Sequence, residues 1–110
     1  QIYSRFGAGF ADWTDFEQQF SNVWQKQLHL FEVPFYYIEY AIAQLGAIAV
    51  WKNYKENREK GLQQYLDALA LGYTKPMNEI YETAGIKFDF SAEYIKELAA
   101  FVKEELEKLG

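Results

Sequence analysis

The sequence predicts an all-α fold, about five helices packed around one long helix over residues 34–57. Three observations carry that expectation. Pro34 opens the run PFYYIEYAIAQLGAIAVW, and its fixed φ and missing N–H suit the first turn of a helix. The run is apolar nearly all round, as a helix at the centre of a bundle is. Near the C-terminal end, Ile95, Leu98, Ala99, Val102, Leu106 and Leu109 recur with the 3.6-residue period of an amphipathic helix.

The elements follow in order. Residues 1–11 carry Gly7 and Gly9 with Tyr3, Phe6 and Phe10 around them, an irregular lead whose rings need a surface to cover. Asp12 or Thr14 can cap a first helix reaching about Leu28, with Phe16, Phe20, Val23, Trp24 and Gln27 at helical spacing. Pro34 disfavours helix at the residue before it, which places His29 on or beside a bend. Phe35, Tyr36, Tyr37, Tyr40, Trp51 and Tyr54 hold the large side chains, while Ala41, Ala43, Gly46, Ala47 and Ala49 are small residues that let another backbone approach. The charged run KNYKENREK is expected to carry the helix into solvent, where it bends or ends near Asn57, and Gly61 weakens a continuous helix across it.

Leu62, Tyr65, Leu66, Leu69 and Ala70 form the stripe of a further helix that Gly72 can terminate. A short helix over residues 76–84, anchored by Ile80 and Tyr81, should stop at Gly85. Ser91 is placed to cap the last helix, whose outer face of Glu and Lys reads as solvated. With no repeat, low-complexity stretch or linker, residues 1–110 read as a single helical domain or a fragment of a larger one.

Composition excludes several classes of function. The net charge is −5 and eleven Lys and Arg lie scattered among sixteen Asp and Glu, so there is no basic stripe for nucleic acid. Having no cysteine, the chain has no disulfide framework and no thiol nucleophile, which matches a cytoplasmic location. Residues 1–10 lack the basic start and apolar run of a signal peptide. Glu39 and Gln44 interrupt the one stretch near transmembrane length, so no membrane span is expected. Half the residues are hydrophobic and 19% are aromatic, more than a small helical core needs, and an apolar face open to a partner or to a second copy follows.

Chemistry is limited by a single histidine. Ser21 and Ser91 lack a local base, no glycine-rich phosphate loop is present, and no metal ligand is assigned. Taken by themselves, His29, Tyr36, Tyr37 and Tyr40 fit a hydrogen-bonded histidine and half-buried packing rings. Tyr37 and Tyr40 are three residues apart and Tyr36 and Tyr40 four, so either pair can project from one helical face. Glu39 either faces solvent at a cleft or pairs with a cation.

His29 and the segment FEVPFYYIEYA, continuing through Trp51, GYTKP and Ala84-Gly85-Ile86, resemble the C-terminal catalytic-domain segment of oligoendopeptidase F-type zinc peptidases, relatives of thimet oligopeptidase. The resemblance implies hydrolysis of short peptides by a zinc-activated water in the complete enzyme. It implies that His29, Tyr37 and Tyr40, with Tyr36, bind substrate and stabilise the oxyanion across the cleft from the zinc helix. That helix, His-Glu-x-x-His, is not in these residues, so zinc is implied for the complete enzyme only and the chain alone is expected to be inactive. The stretch 30–33 also lacks the glycines that separate histidine from tyrosines in the better-known branch of the family. The alternative is a stand-alone or engineered helical module that associates with itself or a partner and has no catalytic activity.

Overall fold

The computed structural model describes Arg5, Gly9 and residues 11–110. Tyr3, Phe6 and Phe10, expected to cover a surface, lie outside the described residues. Among the described residues there are six delimited α-helices, one 3-10 turn and no strand, as the all-α expectation requires. The chain divides into two compact units, residues 1–38 and 39–110.

In the first unit, helix α1 (Glu17–Asn22) tightens into the 3-10 turn Val23–Lys26 and does not continue to Leu28. The cause is local. Ser21 Oγ and Asn22 Nδ2 both donate to the Gln18 carbonyl, at 2.7 and 3.1 Å, and so compete with the helical ladder. Asp12 caps no helix. Its carboxylate accepts from the Thr14 N–H at 2.9 Å and the Thr14 hydroxyl at 2.6 Å, bonds that lower its pKa, and the chain turns at Asp15 with φ +70° before α1 begins. A single helical turn, α2 (His29–Glu32), follows. No described residue of this unit is fully buried; stacked rings bridge its pieces, Trp13 on Phe20 at 4.9 Å and Trp24 on Phe31 at 5.8 Å.

The long helix α3 (Ile38–Glu56) opens four residues later than Pro34 suggests. Residues 34–37 form a turn, and Phe35 sits at φ +68°, a left-handed conformation that no right-handed helix can contain. At its other end α3 stops, and Asn57 Oδ1 accepts from the Lys60 N–H at 3.1 Å to cap α4 (Arg58–Leu71). Helix α4 runs straight through Gly61 and ends at Gly72, φ +53°. Helix α5 (Met77–Thr83) is closed by Gly85 at φ +73°. Ser91 Oγ accepts from the Tyr94 N–H at 3.2 Å and so caps α6 (Ala92–Glu107), as its position foretells.

The second unit packs on small residues. Gly46, Ala49, Gly61, Ala68 and Ala84 are buried, and Leu98, only 1% exposed, is the one large side chain fully enclosed among the described residues. A Cβ on Gly61 would lie 2.7 Å from the Tyr54 Cα, so α3 and α4 meet backbone to backbone. Asn53 ties three elements together: its Nδ2 donates to Gln64 Oε1 at 3.0 Å and to the Ala84 carbonyl at 3.1 Å. Across α3, Trp51 meets Phe101 edge-on at 4.8 Å. Lys52 reaches Glu97 at 3.3 Å, and Lys55 reaches Glu105 at 2.6 Å.

The charged run after Trp51 thus enters solvent only in part, and the outer face of α6 is not wholly solvated. Glu105 is 8% exposed, held between Lys55 and Lys108, and those two bonds, Lys108 first, lower its pKa. Lys103 and Glu107 pair loosely at 3.8 Å, as their spacing anticipates.

Candidate functional site

His29 opens α2, and the turn over residues 34–37 folds the following tyrosines back onto it. The Tyr36 N–H donates to the Val33 carbonyl at 3.1 Å, and the positive φ of Phe35 reverses the chain. The Tyr36 ring lies 6.2 Å from the imidazole at 7° to it, and the Tyr37 ring 5.6 Å away at 55°. Both tyrosines stay exposed, while His29 is half-buried. Three of the four residues singled out in the sequence are therefore brought together, by a turn and not by helical spacing. That corrects the expected pairing of Tyr36 or Tyr37 with Tyr40 on one helix face, because α3 begins only after both. Phe35 is the outlier of the turn, 96% exposed and packed on nothing.

Tyr40 belongs to the second unit, in the first turn of α3, and is 52% exposed. Glu39 beside it is solvent-facing, with no ion pair among the described residues. At about 100° per residue, Ile42, Gly46, Ala49 and Asn53 make one stripe of α3, and Tyr40 lies about 150° round the helix from it. The stripe is the face that packs: Gly46 and Ala49 are buried and Ile42 and Asn53 half-buried. The Tyr81 hydroxyl, from α5, donates to the Ile42 carbonyl at 3.3 Å over the bare Cα of Gly46. Burial first, then the Glu39 carboxylate, pushes the Tyr81 pKa up, so this hydroxyl remains a donor throughout the neutral range.

Chemically the first unit groups three hydrogen-bonding rings, an imidazole and two phenols, and the second unit carries the Tyr40 phenol by itself. Among the described residues no group of three or more His, Cys, Asp or Glu can hold a metal ion, and no helix is long and apolar enough to cross a membrane. An open groove of about 440 Å³ runs between α3 and α6, but Lys52, Lys55, Lys108, Glu97 and Glu105 on its walls already pair with one another.

The sequence did not single out Asn53 and Gln64, hidden respectively in a charged run and an amphipathic helix. The signal for Asn53 was its place four residues after Ala49, continuing the small-residue stripe.

Compared with known proteins, residues 3–100 match the family model described as peptidase family M3. Neither curated proteins nor solved structures give a match.

Proposed function

The chain belongs to peptidase family M3, and from that premise we propose that it is the C-terminal catalytic-domain segment of an oligoendopeptidase F-type peptidase, forming one wall of a cleft that holds short peptides. The observation that carries the reading is the closure of Tyr36 and Tyr37 onto His29, which groups three hydrogen-bonding rings within residues 29–37. Tyr40 adds an exposed phenol at the start of α3.

Hydrolysis of a peptide bond builds negative charge on the carbonyl oxygen as the carbonyl carbon is attacked. A neutral donor placed where that charge develops lowers the barrier by about 3 kcal/mol and does little for the uncharged ground state. The Tyr40 and Tyr37 hydroxyls are donors of that kind, and a His29 N–H can also donate. In the proposal they bind the substrate backbone and the oxyanion, with Tyr36 lining the approach.

Peptidases of family M3 are zinc-dependent, yet the residues of this chain do not fit a zinc site. The chain has a single histidine, and no ligand cluster exists among the described residues. The proposal therefore places the metal on another part of the catalytic domain. Exposed apolar side chains support such a neighbour: Leu62, Leu66 and Leu69 on α4 and Leu106 on α6 lie open to solvent. The same exposed side chains favour a second reading, a helical module that buries them against its own copy.

A peptidase assay on the purified chain separates the readings from an active stand-alone enzyme. The chain alone should cleave no short peptide, and addition of the zinc-bearing remainder should restore cleavage that a chelator abolishes. Zinc-dependent turnover by the isolated chain would overturn the proposal, and a homodimer indifferent to the remainder would favour the module.

A further inference from the structure

We infer that Tyr81, seated over Gly46, is a positioning residue that sets the rotation of α3 about its own axis and thereby the direction in which Tyr40 presents its hydroxyl. The inference rests on the reading of Tyr40 as a substrate contact and extends it to a residue that touches no substrate.

The contact is specific on both sides. A Cβ at Gly46 would lie 2.7 Å from the Tyr81 hydroxyl and 3.2 Å from its Cζ, so only glycine admits the phenol at this depth. The hydroxyl then reaches the Ile42 carbonyl, one helical turn before Gly46 and two residues after Tyr40. At 3.3 Å this is a long hydrogen bond, and the fit of the ring into the glycine gap contributes more than the bond does. Farther along the same stripe, Asn53 bonds the Ala84 carbonyl, three residues beyond Tyr81. Helix α3 is thus held from the α5 side at Ile42 and at Asn53, about 16 Å apart along its axis. The Asn53 tether lies far from Tyr40; the Tyr81 tether lies within its turn.

Tyr40 stands on the opposite side of α3 from this contact, so a rotation that relieves one displaces the other. A tyrosine hydroxyl lies about 8 Å from the helix axis, and a rotation of about 10° moves it about 1.4 Å. Displacement on that scale is enough to cost a catalytic donor one to two orders of magnitude in rate. No other described side chain hydrogen-bonds the first two turns of α3 from α5, which makes Tyr81 the natural control point.

The test uses the zinc-loaded protein that carries this chain, with 3-fluorotyrosine at position 40 as a direct probe of that ring's surroundings. Gly46→Ala gains helix propensity while displacing the Tyr81 hydroxyl, so Tm should hold within about 3 °C. Its kcat should nonetheless fall about tenfold at a KM within twofold, with the fluorine resonance shifted. Tyr81→Phe keeps the ring and loses the long bond, and should move the same two readouts in the same direction, kcat by about threefold. A merely structural role would lower activity only in step with Tm. If both variants leave kcat and the resonance unchanged while Tyr40→Phe slows turnover, the inference is overturned. If Tyr40→Phe leaves turnover unchanged, the role assigned to Tyr40 falls, and the resonance alone decides Tyr81: moved supports the positioning, unmoved overturns it.

Discussion

Replacing Gly61 with alanine sets two effects of opposite sign against each other. Within a helix, glycine is less favourable than alanine by about 1 kcal/mol, so propensity alone makes Gly61→Ala stabilising. Packing says the reverse. The new Cβ would meet the Tyr54 Cα at 2.7 Å, the Tyr54 N at 2.9 Å and the Asn53 carbonyl carbon at 3.0 Å. These are backbone atoms of α3, which cannot swing aside as a side chain does, and a single residue, Asn57, joins the two helices. Relief requires the helices to separate by most of an ångström, which also stretches the Asn53 bonds to Gln64 and Ala84. Overpacking of this kind costs up to about 3 kcal/mol, so the net effect is a loss of about 2 kcal/mol. For a unit the size of residues 39–110, Tm should drop by about 10 °C. Thermal melts followed by far-ultraviolet circular dichroism measure it. A Tm equal to or above that of the unmodified chain would refute the close approach of α3 and α4.

The other predictions concern the polar contacts of the same unit. Asn53→Ala removes two part-buried hydrogen bonds and should cost about 2 kcal/mol. Asn57→Ala removes one exposed cap bond and should cost about 1 kcal/mol; equal losses in urea titrations would mean that Asn53 holds nothing together. Glu105 has its pKa lowered in the folded state, chiefly by Lys108 and then by Lys55, so its contribution is present above the unfolded carboxylate value of about 4.3 and disappears as pH falls through the lowered folded value. Glu105→Gln should accordingly flatten the acid limb of Tm against pH, and identical acid limbs would remove Glu105 from the account.

Much of the fold is written in local chemistry. Ser91 before an amphipathic run, Gly72 and Gly85 after one, and the stripe of α6 each have a short-range physical cause, and each appears where the pattern puts it. What escaped is of two kinds, a local turn that no residue type marks and contacts that depend on tertiary partners. Pro34 suits a helix's first turn, but nothing in the sequence marks Phe35, an aromatic, for a left-handed conformation, and so α3 opens at Ile38. The charges of KNYKENREK look solvated until α6 lies alongside and offers Glu97 and Glu105 to Lys52 and Lys55.

The candidate site was legible in part for the same reason. Residue types and a family resemblance pointed to His29 and the tyrosines, but the grouping of His29, Tyr36 and Tyr37 depends on a turn whose sharpest residue carries no sequence signal. Tyr81 could be recognised as an anchor from its place on a short helix. Its partner, the Ile42 carbonyl, could not, because backbone acceptors leave no trace in a side-chain pattern.

The central claim is that this chain supplies donors to the developing oxyanion of a zinc peptidase. Turnover of a short peptide by the zinc-loaded protein carrying Tyr40→Phe tests it most directly. The account predicts a kcat about a hundredfold lower at unchanged KM, zinc content and Tm, since one oxyanion donor contributes about 3 kcal/mol. A kcat equal to that of the unmodified protein would contradict it.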